Sequence, residues 1–573
     1  MKSLLVYLKN YKCESVFAPL FKMLEALFEL IVPLVVASII DVGIANGDLK
    51  YIIKRCLLLV LLAIIGLTVS ITAQFFAAKA ATGFSKELKH SLFSKIQTLS
   101  FTDLDNIGTS SLITRLTSDV NQIQNGVNIG LRLLLRSPFI VVGAMIMAYS
   151  VDKKSAGIFT VITLLLSIVI FGIIAYTIPK YKSVQNNLDV ITLKTRENLN
   201  GTRVIRAFTE EENEVNDFKN KNDVLTGIQK SVGKISALMN PLTYVIINIG
   251  IVLVIYLGGV EVNAGNLSQG EVVALYNYMS QILGELLQLA TLIISVTKIF
   301  PSASRVECIF NIENSLKTNS NFNKITENGI DFIDVSFKYD GDSEDSLSNI
   351  NLSVKKGETV GIIGGTGSGK SSLVSLIPRF YDVTKGSVLL NGVDVKSYTK
   401  DMLINKIGFV FQNSVLFKGS LRENLKWGNK DATEEDMINA LKKAQIYKEI
   451  QQKNGLDTII EQSGANLSGG QKQRISIARA LVRKPEILVF DDSFSALDLA
   501  TESSLTKEIY NLEYKPTVFI VSQRANSVVK ADKIVVLDDG VVVGLGKHEE
   551  LLRTCDVYKE IYESQFQKEV DYE

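Results

Sequence analysis

The sequence predicts a multidomain fold, an α-helical membrane domain of six spans followed by an α/β P-loop nucleotide-binding domain. Three observations predict it. Uncharged apolar runs of 23 to 26 residues recur in the first half and are absent from the second. A glycine loop suited to phosphate, GGTGSGKSS, follows a short apolar strand in the second half. The composition is an average of two unlike parts: 47% hydrophobic and 21% charged over 573 residues, with a mean hydropathy of +0.21. That is too apolar for an ordinary soluble enzyme and too charged for a chain lying wholly in lipid.

The first residues, MKSLLVYLKNYK, have too short an apolar run for a secretory signal. Leu4, Leu5 and Leu8 beside Lys2, Lys9 and Lys12 fit a short helix along the inner membrane surface. Three spans are free of charge: Cys56–Ala78, Ser155–Pro179 and Ile235–Val260. Each is long enough to cross a hydrocarbon core of about 30 Å as a helix. Three more carry charges: Val16–Ile40 with Lys22, Glu25 and Glu29; Val127–Val151 with Arg132 and Arg136; and Val272–Thr297 with Glu285. Their alternation with the clean runs marks them as membrane helices. The transmembrane domain is thus placed at 1–310, with spans near 16–40, 56–78, 127–151, 155–179, 235–260 and 272–297. Two long connections, 79–126 and 180–234, hold helix-compatible stretches such as FSKELKHSLFSKIQTL and read as membrane helices prolonged into the cytoplasm.

Glu25 and Glu29 lie one turn apart on one helix face, and Glu285 falls in mid-span. Ionisable groups at that depth are costly unless they face protein or water, so all three are candidates to line a substrate cavity. Lys22, three residues before Glu25, is equally placed to pair with it.

A polar linker, 311–329, leads to a nucleotide domain at 330–573. Thr359–Ile363 is the strand that enters the glycine loop, which matches GxxxxGK[ST] at Gly364, Gly369, Lys370 and Ser371. Backbone N–H groups from Gly364, Gly365, Thr366, Gly367, Ser368 and Gly369, and the opening of the helix at Ser372, would wrap the phosphates of ATP. Lys370 would reach the β- and γ-phosphates, and the Ser371 hydroxyl would ligate Mg²⁺. Downstream, the strand ILVF ends in Asp491, a Mg²⁺-side carboxylate. Between them LSGGQ opens a second helix, and Ser468, Gly469, Gly470 and Gln471 make a second phosphate cradle. One chain does not need two cradles for one γ-phosphate, so the second serves a nucleotide held by another copy or another chain.

With these motifs in this order the chain resembles an ATP-binding-cassette (ABC) exporter half-transporter over nearly its whole length. The resemblance assigns Tyr339 in FKY to adenine stacking, Gln412 in VFQNSVLF to the Mg²⁺ and water side, and Asp498 to the end of SALD. RLTSDV and ENLNGTRVIRAF in the long loops are similar to segments flanking that family's coupling helices. It implies ATP and Mg²⁺ as cofactors, and drugs, lipids or peptides as cargo, small amphipathic molecules that would enter from the bilayer. Because ATP is cytosolic, six spans return the N-terminus and the nucleotide domain to the same cytoplasmic side of a bacterial plasma membrane.

Two departures from the family pattern stand out. The position after Asp491, usually a Glu that polarises the attacking water, is Asp492, one methylene shorter. The switch position before Arg524, usually His, is Gln523. LSGGQ is intact. Together these point to the degenerate-site subunit of a heterodimer, whose partner would be a second half-transporter with Glu and His in place. A homodimer with two slow sites, or a nucleotide-gated regulatory or channel-type subunit, is the alternative. The balance of 61 Lys+Arg against 60 Asp+Glu argues against nucleic acid as a partner. Two histidines, His90 and His548, exclude a multi-histidine metal site within one chain, and four scattered cysteines read as reduced thiols.

Overall fold

The computed structural model describes residues 3–312 and 329–566. The chain forms two compact units, one from residues 1–97 and 109–312, the other from 98–108 and 313–573. The expected linker 311–329 falls, apart from its ends, outside the described residues, as does the stretch beyond 566.

The first unit is helical throughout. Its long helices are α1 (Lys12–Ser38), α2 (Leu49–Thr98), α4 (Val120–Leu133), α5 (Arg136–Val151), α6 (Lys153–Asn200), α8 (Glu211–Asn263) and α9 (Gln269–Asn311). The short helix α7 (Thr202–Ala207) lies at the turn of the second long excursion, while α3 (Phe101–Ile107), at the turn of the first, belongs to the second unit. Five helical stretches among the described residues are long and apolar enough to cross a membrane. α9, 43 residues long, is not one of the five, and its interior carries Asn277, Gln281, Glu285 and Gln288. Leu57, Leu61, Ile64, Leu67 and Ile71 of α2 form an exposed apolar stripe, the surface expected of a helix solvated by lipid. The inner faces pack Ala26, Leu30, Ile140, Phe159, Ile162, Leu166, Tyr278, Met279 and Ile282 into one core. Gly143 lets Leu30 approach so closely that a Cβ there would sit 2.4 Å from its side chain.

One expected helix is broken. The span 127–151 is two helices separated at Leu134–Leu135. Pro138 explains the break: proline lacks an N–H and its ring clashes with the carbonyl four residues back, here that of Leu134. Arg136 therefore opens α5 instead of lying inside a continuous helix.

In the second unit a six-stranded sheet runs β10 (Val541–Gly546), β9 (Lys533–Asp538), β3 (Thr359–Gly364), β8 (Thr517–Val521), β7 (Ile487–Asp491) and β6 (Ile407–Val410). All pairings are parallel except β9 with β10. Strands β3, β7 and β8 are buried at every position, which is why they read as unbroken apolar runs. A smaller antiparallel sheet has the order β2 (Leu347–Val354), β1 (Ile330–Phe337), β4 (Lys385–Leu390), β5 (Val393–Asp394). Apolar clusters cover both faces of the main sheet.

Candidate nucleotide site

The parallel register gathers the motifs at one edge. Val521 of β8 is level with Ile362 of β3 on one side and Asp491 of β7 on the other. Phe490 of β7 in turn pairs with Val410 of β6. The glycine loop, Gln523, Asp491 with Asp492, and Gln412 therefore all follow the carboxyl ends of four adjacent strands. That edge is where open α/β sheets bind ligands.

The loop between β3 and α10 (Lys370–Ser375) is shaped for a backbone cradle. Gly364 is packed so tightly that a Cβ would meet the Leu537 carbonyl oxygen at 2.1 Å. Gly369 has φ +91°, a conformation that side chains disfavour, immediately before the helix starts. Gly365, Thr366 and Gly367 are exposed at the mouth, while Ser368 and Ser372 are buried behind it. Lys370 folds back into this loop. Its ammonium donates to the carbonyl oxygens of Gly364 (3.0 Å) and Gly365 and to Ser368 Oγ (3.2 Å). Burial pulls its pKa down, against the opposing charges of Asp492 and Asp491. A desolvated ammonium held only by neutral acceptors is suited to a phosphate oxygen.

Ser371 Oγ donates to Asp491 Oδ1 at 2.7 Å. Hydroxyl and carboxylate thus converge where a P-loop site holds Mg²⁺. Burial pushes the Asp491 carboxyl above the usual carboxylate range, and the neighbouring charge of Asp492 adds to it. Asp492 is raised as well, chiefly by burial, with Gln412, Lys370 and Arg524 pulling the other way. Two desolvated carboxylates beside a hydroxyl form an oxygen donor set that a divalent cation would relieve. Gln412 Nε2 donates to Asp492 Oδ2 at 3.1 Å, so this amide engages the shortened carboxylate.

Tyr339 stands just beyond β1, edge-on to Phe337 (4.7 Å between ring centroids) and to Tyr381 (5.2 Å), with its hydroxyl 3.1 Å from Ser372 Oγ. Helix α3 belongs to this same unit, although it comes from the first long loop. Tyr381 donates to Asp105 at 2.7 Å, Asn106 donates to Asp340 at 2.8 Å, and Phe101 packs on Phe380. A short chain of aromatic contacts therefore joins α3 to Tyr339.

The LSGGQ segment forms the entry to α11 (Gly469–Val482). Ser468 and Gln471 cap it reciprocally: Gln471 N–H donates to Ser468 Oγ (3.3 Å) and Ser468 N–H to Gln471 Oε1 (3.1 Å). Ser468 and Gly469 are exposed and Gly470 and Gln471 partly so. Asp498 caps α12 (Leu499–Tyr510) by accepting from Thr501 N–H at 2.9 Å. That backbone bond holds its carboxyl below the ordinary value.

Gln523 is exposed just past β8, and its neighbourhood shows a residue that the motifs do not contain. Gln565, in α13 (Asp556–Phe566), donates through Nε2 to the Gln523 carbonyl (2.8 Å) and accepts through Oε1 from Ala525 N–H (2.9 Å). One side-chain amide thus grips the backbone on both sides of Arg524. Nothing in the local sequence marks Gln565, because the contact spans 42 positions.

In the membrane unit the acidic candidates have partners. Glu25 accepts from Lys22 at 2.6 Å, and Lys22 also reaches Ser70. Glu285 is buried and partnered through one of its two oxygens. It is 5% exposed and bound to Arg136 at 2.7 Å. The same guanidinium reaches Glu29 at 2.8 Å. Arg136 makes both contacts from the first position of α5.

Membrane helices built around a buried ion-pair core, joined in one chain to a P-loop edge with a second cradle, define a membrane transporter driven by ATP. Comparison with known proteins places it further. Residues 15–286 match the ABC transporter transmembrane region and residues 347–495 the ABC transporter domain. The chain is 36% identical to the uncharacterized ABC transporter ATP-binding protein YfiB of Bacillus subtilis, over 99% of each chain. It is 30% identical to the putative multidrug export ATP-binding/permease protein YgaD of the same organism, over 98% of each. A bacterial Atm1-family ABC exporter solved with ATP bound shares the fold, with a TM-score of 0.82, 97% of this chain and 98% of that one covered, and 21% identity. The chain belongs to the ABC transporters and has the architecture of an exporter half-transporter. It is a multi-pass membrane protein and a transport ATPase.

Proposed function

We propose that this chain is the degenerate-site half of a heterodimeric ABC exporter, moving small amphipathic molecules out across the plasma membrane, with its N-terminus and cassette in the cytoplasm. The observation that carries the reading is the coincidence of Asp492 and Gln523 at one strand edge beside an intact LSGGQ helix. Lys370 would hold phosphate charge, and Ser371 with Asp491 would hold Mg²⁺. Asp492 stops short of where a Glu carboxylate would reach a water, and Gln412 already claims one of its oxygens. Gln523 can donate a hydrogen bond but cannot carry the charge of an imidazolium. ATP bound here is therefore retained more than it is split. The exposed Ser468 and the N-terminus of α11 complete the partner's competent site. The name of the YgaD relative favours drug-like cargo, and lipids or peptides fit the same architecture.

The test compares the purified chain with the chain co-expressed with a half-transporter carrying Glu and His. The chain alone should turn ATP over slowly, and the pair briskly. Within the pair, Ser468→Arg should abolish turnover while Asp492→Ala leaves most of it. Brisk turnover by the chain alone, or equal losses from the two variants, refutes the division of labour and leaves a homodimeric exporter.

A further inference from the structure

The buried charges of the membrane unit do not cancel locally. Arg136 is shared by Glu29 and Glu285, one guanidinium against two carboxylates. The basic residues on the neighbouring turns are engaged elsewhere. Lys22 is bound to Glu25 one turn back along α1. Arg132, one turn before Arg136, turns instead to α2: with the Gln74 amide oriented so that its oxygen faces the guanidinium, that oxygen accepts from both terminal nitrogens at 3.2 and 3.3 Å. No ion pair links Arg132 to the cluster among the described residues. The cluster therefore keeps one negative charge in excess if both carboxylates are ionised.

It also keeps two acceptors without donors, against one donor, Arg136 Nε, without an acceptor. Glu285 gives Oε1 to Arg136, while its Oε2 is buried with no hydrogen-bond partner. Gln281 lies four residues before Glu285, on the same face of α9, and its Oε1 is likewise buried and unpaired. Its Nε2 is occupied by the Glu29 carbonyl at 3.4 Å. Buried polar atoms without partners cost free energy, and two acceptors against one donor, beside an excess negative charge, call for a group that is cationic and a net donor of hydrogen bonds. The cluster is approachable. The Glu29 side chain is 43% exposed, Gln288 is exposed, and Gly284 leaves bare backbone beside Glu285.

We propose that Glu285 and Gln281, with Glu29 and Arg136, form a binding site for the protonated amine of an amphipathic substrate. This rests on the exporter reading and names the substrate class. An ammonium supplies the two missing donors and the one missing charge. A quaternary cation or an inorganic ion supplies charge without those donors.

The test is equilibrium binding without nucleotide, on the full chain in nanodiscs of zwitterionic lipid, together with its partner half if the two co-purify. The probe is a dansyl-labelled pentylamine, with dansyl-labelled pentanol as its neutral twin and empty nanodiscs as the control. Glu285→Gln should weaken amine binding about 10- to 100-fold and leave the alcohol unchanged. Gln281→Leu keeps the ion pairs and should cost the amine a smaller factor, about 3- to 10-fold. If Glu285→Gln does not assemble, Glu29→Gln removes the same unit of charge from the exposed side and should weaken the amine selectively. The proposal is overturned if amine and alcohol weaken alike, if the amine is unaffected in an assembled variant, or if wild type does not prefer the amine. Displacement of the amine by millimolar sodium would assign the cluster to an inorganic ion and overturn it too. Because no ATP is present, failure of the heterodimer reading leaves this readout intact.

Discussion

Replacing Asp492 by Glu should raise the activity of this site, and the geometry sets the size of the gain. The Asp492 backbone is fixed, since its N–H donates to the Val521 carbonyl at 3.1 Å. The reach of its carboxylate therefore depends on the side chain alone. One more methylene advances it by about 1.5 Å. A displacement of about 1 Å can cost on the order of 100-fold, and a positioned base contributes roughly 10²- to 10⁴-fold. Asp492→Glu with Gln523→His should therefore raise turnover on the order of 100-fold, and Asp492→Glu alone by less. There is a cost in stability. Asp492 has φ +45°, a conformation that Asp tolerates better than Glu, so the single change should destabilise the cassette by about 1 kcal/mol. The assay is steady-state phosphate release by the full chain in nanodiscs at saturating Mg-ATP, with Lys370→Ala as background, alongside a thermal melt. If the double variant binds ATP, melts as expected and gains no rate, the deficit does not lie at these two positions.

Three further outcomes follow from the same contacts. Burial raises the folded-state pKa of Asp491, so its contribution to stability is favourable below the ordinary carboxylate pKa and is lost as pH rises through the raised value. Without nucleotide or Mg²⁺, Asp491→Asn should melt above wild type by a margin that grows from about pH 4 to pH 7, and a flat margin refutes this. Arg136→Gln strands Glu285 in a buried site and should cost about 3–5 kcal/mol in thermal stability, with Arg136→Gln/Glu285→Gln recovering part of it; purely additive losses would show that the pair is not coupled. Gln565→Ala removes both grips on the switch backbone, each worth about 1 kcal/mol. Hydrogen exchange at the Ala525 amide should speed up, and unchanged exchange would show that α13 does not restrain this loop.

The nucleotide site was legible because its chemistry is local. Phosphate binding needs a strand, a glycine turn and a helix in immediate succession, so Gly364 to Ser372 announce themselves in nine consecutive residues. The same holds for LSGGQ, where cap and cradle share four positions. Parallel pairing then brought Asp491, Gln412 and Gln523 to one edge without any further sequence signal. Gln565 carries no such signal. Its amide grips a backbone 42 positions away, and any polar side chain in a C-terminal helix reads the same in sequence. Hydropathy marked the long apolar helices but not the break in the third, where Pro138 makes the preceding helix yield. What periodicity could not supply was the partition of charge.

Summed along the spans, the ionisable groups cancel: Lys22, Arg132 and Arg136 against Glu25, Glu29 and Glu285. A sum of zero would describe an inert set of ion pairs as well as it describes a site. Only the pairing distinguishes them. Lys22 closes on Glu25 and Arg132 is drawn off to Gln74, so Arg136 alone serves two carboxylates. A basic residue held away by an amide leaves an acidic one with a spare oxygen inside the helix bundle. Pairing all six would have been the more stable arrangement, because unpaired buried charge is costly. That the chain leaves one carboxylate under-served, beside a second orphan acceptor on the same helix face, is the kind of local inconsistency that marks a place built to receive something.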